Sequence, residues 1–320
     1  MALNNIIGQG KAVTMLRGMM ERQRVASSYI FCGEPGIGKK TTAISFAKAL
    51  NCLNRLDTVD ACDACASCRK IDAGVHPDFL LLATEDRTIK IEEIRAIEEA
   101  LSFKPYEGRY KIIIIDEAEA MTLPAANAFL KTLEEPPDAS VIILVTARPD
   151  MLPATIRSRC CRVNFFPLAE GSSRQVLSGS FEGPALELLL RLSMGRPGEA
   201  LSGGLLESRD WSMGLFRDML KSEKDRWASR EEMERWFDQS LFLLRDMASL
   251  KISGDPSRLI NRDLHAELSR LSKSVGLTVI LYLYDELSLL KGLLFYNLNK
   301  SITWNYTASL LRKELLGNHA

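Results

Sequence analysis

The stretch GEPGIGKKTT, residues 33–42, stands one letter away from a phosphate-binding loop. The pattern G-x-x-x-x-G-K-[ST] is met by Gly33, Gly38 and Lys39, with Gly36 inside the loop. Lys40 occupies the place of the hydroxyl that normally ligates Mg²⁺, and Thr41 follows one residue late. In such a loop the backbone N–H groups and the next helix's N-terminus cradle phosphates, and the lysine neutralises the outer oxygens. The alternative is a glycine-rich turn, and the flanks decide between them. SYIFC, residues 28–32, is a short β-prone run entering the loop, and TTAISFAKALNCL, from residue 41, spaces its apolar residues as a helix does. Strand, loop and helix in that order predict a phosphate-loop fold. Lys40 cannot ligate Mg²⁺, so turnover would require Thr41 to slip into register, which this reading disfavours.

Working outward, HPDFLLLAT (76–84) predicts a strand and IKIEEIRAIEEALSF (89–103) an amphipathic helix. KIIIIDEAE (111–119) predicts a buried strand that stops abruptly in acids, LPAANAFLKTLEEPP (123–137) a helix closed by two prolines, and ASVIILVTA (139–147) another strand. Strands alternating with helices imply a parallel sheet covered on both faces. The strand signal fades from about residue 168. Short helices are predicted around GRPGEAL (195–201), and long helical patterns fill 207–317, with Trp227, Trp236 and Trp304 read as core.

Three further constellations carry chemistry. Asp116 emerges at the carboxyl end of the isoleucine strand, where it could hold Mg²⁺ through water while Glu117 polarises an attacking water. The bland alternative is a strand ending in solvated acids. Cys52, Cys62, Cys65 and Cys68, spaced C-x9-C-x2-C-x2-C, suit tetrahedral Zn²⁺ in a closed, structural site, with an iron–sulfur cluster as the chemical competitor. Cys32, Cys160 and Cys161 read as buried small residues. TARPDMLPATIRSRC (146–160) carries Arg148, Arg157 and Arg159 after a strand end. Such arginines are either paired with surface acids or placed to reach a phosphate on a neighbouring subunit, and residue type alone does not decide.

The totals bound the function. The 320 residues balance 41 basic against 41 acidic side chains, which argues against a chain that grips nucleic acid alone. An acidic flank at Asp57, Asp60 and Asp63 argues against DNA contact by the cysteine module. No signal-like or membrane-length apolar run is present, and the clustered thiols suit a reducing compartment, so a cytoplasmic protein with no membrane partner is expected.

In order, GEPGIGKKT, the four-cysteine insert, HPDF, IIIIDEAEAM, NAFLKTLEEPP, LVTARPDMLPATIRSRC and GRPGEAL resemble the bacterial DNA polymerase III clamp loader subunits, which are three-domain AAA+ proteins. The resemblance runs through roughly the first 200 residues, and the remainder matches only in helical character and position. It implies an AAA+ α/β domain over 1–167 with a zinc module at 52–68, a helical lid over 168–206, and an all-α collar domain over 207–320. It further implies a trans-acting arginine finger at Arg159, in Ser158–Arg159–Cys160, and a sensor at Thr146. Ile6, Ile7, Gly8 and Gln9 would border an adenine pocket. The implied partners are the gamma/tau and delta subunits, with the sliding clamp and primer-template DNA reached through the assembly.

Two kinds of subunit share this layout: an ATP-hydrolysing motor (gamma or tau) and a stator (delta-prime) with degraded nucleotide motifs. Lys40 departs from the motor pattern. So does Gly198, which stands where the motor lid carries a γ-phosphate-sensing arginine, with Arg196 two residues away. The chain also ends without the long extension of the tau form. These departures favour the stator, with structural zinc and at most weak ATP or ADP binding with Mg²⁺. Little or no ATPase of its own is then expected within the polymerase holoenzyme. The intact Lys39, Asp116 and Glu117 keep the motor as the alternative.

Overall fold

The computed structural model describes residues 1–54, 59–83, 88–221, 227–296 and 298–317. These residues form two compact units, Met1–Gly179 with Met194–Glu199, and Ser180–Ser193 with Ala200–Ala320. The segment 168–206 is therefore divided between the two units.

The first unit is built on β1 (Ser28–Cys32), β2 (Phe79–Leu82), β3 (Lys111–Ile115), β4 (Ser140–Thr146) and β5 (Cys161–Asn164). They run in the order β2-β3-β4-β1-β5 with every neighbouring pair parallel, the α/β parallel sheet expected. β1 and β4 are buried at every residue because both faces of the sheet are covered, which is why their sequences are continuous apolar runs rather than alternating ones. Successive side chains still sort to opposite faces. Tyr29, Phe31, Ile112, Ile114 and Ile143 join the core under α1 (Gly10–Glu21), α2 (Lys39–Asn51) and α3 (Ala66–Asp72). Ile30, Ile113, Ile115, Ile142 and Leu144 join the core under α4 (Ile91–Ser102), α5 (Leu123–Glu134) and α6 (Ala154–Arg157).

Local signals set the helix ends. The Thr122 side chain accepts the Ala125 N–H at the start of α5, with Pro124 in its first turn, and the helix stops before Pro136 and Pro137. Among the described residues of HPDFLLLAT, four form β2. β5 was not anticipated: in CRVN only Val163 is buried, so this edge strand carries almost no apolar pattern.

α7 (Glu170–Leu177) belongs to the first unit and α8 (Gly183–Ser193) to the second, while α9 (Pro197–Leu201) begins in the first. The second unit continues through α10 (Leu205–Met219), α11 (Arg230–Ser253), α12 (His265–Ser274), α13 (Leu277–Leu293) and α14 (Lys300–Leu316). Its core holds Trp227, Trp236 and Trp304, as read from the sequence, and Trp227 meets Trp304 edge-on with centroids 5.0 Å apart. No helix among the described residues is long and apolar enough to cross a membrane.

Candidate functional site

A parallel sheet delivers the carboxyl ends of its strands to one edge, and three of the sequence-read features arrive there together. The loop leaves β1, Asp116 follows β3, and Thr146 ends β4. The Gly33 N–H donates to the Thr146 carbonyl at 3.3 Å, which fastens the loop to the end of β4. Gly36 and Gly38 have φ values of 71° and 93°, in the left-handed region that favours glycine. Gly38 caps α2, whose first residue is Lys39.

The two lysines are placed differently. Lys39 is 7% exposed and its ammonium donates to the carbonyls of Gly33 (2.7 Å) and Glu34 (2.6 Å). Burial lowers its pKa, against the opposing pull of Glu119 and Asp116. Lys40 instead reaches Asp116, with Nζ 3.2 Å from Oδ2, while Asp116 Oδ1 accepts the Glu117 N–H at 3.1 Å. Thr41 does not take over the missing position. It is exposed, and the next residue, Thr42, is buried with its hydroxyl donating to the Gly38 carbonyl at 2.8 Å.

Glu117 is exposed and left-handed at φ 49°, a conformation that costs a non-glycine residue about 1–3 kcal/mol. Thr146 is buried, and its hydroxyl oxygen accepts the Arg148 N–H at 3.0 Å. From the N-terminal segment, Gln9 is buried and its amide donates to the carbonyls of Ile37 (3.0 Å) and Phe166 (2.8 Å), tying IIGQ to the loop. Ile6 packs on the core and Ile7 is half-buried beside it in sequence.

The first turn of α9 seals against the same loop. The Gly198 N–H donates to the Gly36 carbonyl at 2.8 Å, and a Cβ on Gly198 would lie 2.8 Å from both Gly36 Cα and its oxygen. The position that carries an arginine in the motor pattern therefore accepts only glycine on this backbone. Arg196 pairs with Glu34 of the loop, Nε to Oε2 at 3.7 Å.

Arg159 lies just beyond α6, outside this cluster. It is exposed, donates through Nη1 to the Thr155 carbonyl at 2.8 Å, and pairs through Nη2 with Glu134 at the end of α5. Arg157 pairs with Asp150 at 3.0 Å. Sequence reasoning missed Glu134, because a helical glutamate before two prolines carries no sign of a partner 25 residues on.

The four cysteines come together at the other end of α2. Cys52 is its C-cap and Cys65 caps α3. The four sulfurs lie within 4.8 Å of one another, and Cys52 and Cys65 Sγ are 4.0 Å apart. A tetrahedron of thiolates around zinc at about 2.3 Å places its sulfurs about 3.8 Å apart, so the donor set fits. All four are free thiols, and the N–H groups of Cys62, Cys65 and Cys68 donate to Cys52, Cys62 and Cys65 sulfur at 3.3–3.4 Å. Burial opposes ionisation of Cys65, but hydrogen bonds, led by the Cys68 N–H, outweigh it and bring the thiol to about 6. This cluster could hold a metal ion.

The acids beside the cluster are engaged internally. Asp60 is buried and accepts the N–H groups of Leu3 (2.8 Å) and Asn4 (2.9 Å). Asp63 pairs at 2.6 Å with Lys48, a fully buried lysine of α2. Asp57 lies outside the described residues. Of the remaining cysteines Cys32 is buried, whereas Cys160 and Cys161 are only half-buried.

The family described as DNA polymerase III, delta subunit, matches residues 8–169, which span the phosphate loop, the cysteine cluster, Asp116 and Arg159. The delta' subunit of Bacillus subtilis is 30% identical over 278 residues, covering 82% of this chain and 83% of that protein. The tau/gamma subunit of Haemophilus influenzae is 35% identical over 205 residues, covering 62% of this chain but only 30% of that protein. A Thermotoga maritima protein related to the gamma subunit aligns over 93% of this chain and 99% of its own, at 19% identity and a TM-score of 0.42. With the family match covering half the chain and a relative of similar length matching along most of it, this chain belongs to the DNA polymerase III clamp loader subunit family.

Proposed function

We propose that this chain is the stator of a clamp loader, the delta-prime type, and that its chemistry is performed by Arg159 on the ATP of a neighbouring motor subunit. The observation that carries this reading is the Lys40–Asp116 ion pair, which puts a protein ammonium where a motor needs a hydroxyl and a metal. Gly198 against Gly36 supports it, since the lid turn has no room for a sensing arginine. Similarity to a delta' subunit also extends over more of this chain than similarity to tau/gamma. On this reading residues 1–167 are an AAA+ domain with zinc held by Cys52, Cys62, Cys65 and Cys68, 168–206 a lid, and 207–320 a collar domain. The partners are gamma/tau and delta subunits, with the clamp and primer-template DNA reached through the assembly in the cytoplasm.

Arg159 is exposed and held by the Thr155 carbonyl and Glu134, so its planar fork is oriented before it meets a phosphate. Arg159→Ala in the reconstituted assembly is expected to lower turnover at the neighbouring site by about 10³-fold, within the range for arginine fingers. Lys39→Ala is expected to change assembly ATPase little. The motor reading, favoured by the intact Lys39, Asp116 and Glu117, expects the reverse: Lys39→Ala would abolish a share of the ATPase. Unchanged DNA-dependent ATPase in Arg159→Ala overturns the stator assignment.

A further inference from the structure

The altered letter in the phosphate loop does more than remove a metal ligand. Mg²⁺ at a nucleotide site needs oxygen ligands at about 2.0–2.1 Å in near-octahedral geometry. Here the hydroxyl is replaced by Lys40, and the carboxylate that would complete the metal's shell carries the Lys40 ammonium 3.2 Å away. A dication brought to Asp116 would have to displace a tethered cation from its partner. These residues do not fit Mg²⁺.

They do fit a polyphosphate. An ammonium has three N–H donors. Lys39 uses two of its donors on the carbonyls of Gly33 and Glu34, and Lys40 needs one for Asp116. Each keeps a donor for a phosphate oxygen without breaking a contact it already makes. Gly36 and Gly38 keep their left-handed conformations, and α2 offers a 13-residue helix whose N-terminus begins at Lys39. We propose that Lys40 is a covalently attached substitute for Mg²⁺, and that this loop binds the phosphates of a nucleoside di- or triphosphate with no divalent cation. Asp116 then serves to hold the Lys40 ammonium in place rather than to hold a metal. The exposed Glu117 has no metal-bound phosphate to act on, so the loop retains its ligand intact. This deepens the reading of the chain as a stator with a residual phosphate loop and rests on that reading for the nature of the ligand.

The test is titration of the full-length chain with N-methylanthraniloyl-ADP at constant ionic strength, once in EDTA and once in excess Mg²⁺. The wild-type Kd should agree within about twofold between the two buffers, and Lys40→Thr should bind at least about tenfold more tightly with Mg²⁺ than in EDTA. Circular dichroism of Lys40→Thr establishes that the variant is folded, as expected for a half-exposed first-turn residue. Three results overturn the proposal: wild-type binding at least about tenfold tighter with Mg²⁺, no saturable binding in either buffer, or Lys40→Thr behaving as wild type in both. None of these touches Arg159, so failure here leaves the finger assignment standing, whereas an unchanged ATPase in Arg159→Ala removes the stator reading from which the nature of the ligand is taken and leaves the independence from Mg²⁺ to be read from this titration alone.

Discussion

The two ends of α2 have fared differently. Its N-terminus carries a phosphate loop in which one residue has changed and a lysine now sits on the acid that should face a metal. Its C-terminus runs into Cys52, the first of four cysteines whose sulfurs remain converged within 4.8 Å. The difference follows from what each site has to do. A catalytic cation must be exchanged with every nucleotide, and on the stator reading proposed above the chain has no use for a replaceable ion. A structural metal holds two chain segments together, and α3 is a short helix of seven residues with three of them buried, so four ligands converging beside it would add to the ion pair that joins it to α2.

The most damaging way to break the comparison is to disrupt the cysteine cluster, which on the reading proposed above holds zinc. Cys65→Ala, or a strong chelator on the wild-type chain, should reduce bound zinc from about one per chain to none. Loss of such a staple falls among the few mechanisms that cost about 4 kcal/mol or more, on the order of 10 °C in Tm for a domain of this size. Atomic absorption and thermal unfolding read both. If Cys65→Ala binds metal normally, or loses it with no change in Tm, the cysteines are not the structural end of α2 that the comparison requires.

Restoring the motor's arginine at the other end probes whether the loop could be repaired. Gly198→Arg forces a Cβ to within 2.8 Å of the Gly36 backbone, which cannot rotate away as a side chain can. The turn must separate from the loop, losing the Gly198 N–H bond to the Gly36 carbonyl. Overpacking of this kind costs about 1–3 kcal/mol, or a few degrees in Tm. A variant as stable as wild type would show that the turn lifts from the loop freely, and the contact of Gly198 with Gly36 would no longer count against the motor reading.

Much of this was legible before the structure. The sheet strands β1, β3 and β4 are continuous apolar runs bounded by loop residues, and burial on both faces leaves little else such runs could be. The cysteine spacing was sufficient because ligands sixteen residues apart at most are brought together by local turns. What could not be read were pairings between side chains distant in sequence. Nothing near Lys40 announces that its ammonium reaches Asp116, and nothing near Glu134 announces Arg159. Asp60 and Asp63 look like a solvated acidic flank, yet one accepts backbone N–H groups of the N-terminal segment and the other neutralises a buried lysine. β5 escaped because an edge strand with one buried residue has no periodicity to detect.

The smallest of these effects tests how the cysteine module is joined to α2. Lys48 is fully buried, with Nζ 2.6 Å from Asp63 and 2.5 Å from Asp72, while those carboxylates remain 34% and 47% exposed. Burial alone would lower the lysine's pKa, but its hydrogen bonds to both acids outweigh it and hold the value above its ordinary range. Burial likewise opposes the Asp63 carboxylate, and Lys48 outweighs it and lowers that pKa. The lowered acid contributes stability that is present above its ordinary value of about 3.9 and is lost as pH falls through the folded value. The raised lysine contributes stability that is present below about 10.4 and is lost as pH rises through its folded value. Lys48→Met should therefore cost about 1–2 kcal/mol near neutrality, less than a dry pair because both acids stay hydrated. The difference in Tm between the two proteins should shrink towards zero in acid as Asp63 becomes protonated in the wild type. Cysteine protonation would release any metal held by the cluster from both proteins alike, so the difference isolates the lysine's contribution. A difference that stayed constant down to about pH 2, well below the ordinary carboxylate value of about 3.9, would mean that Lys48 stabilises the junction by packing its stem and not by its charge.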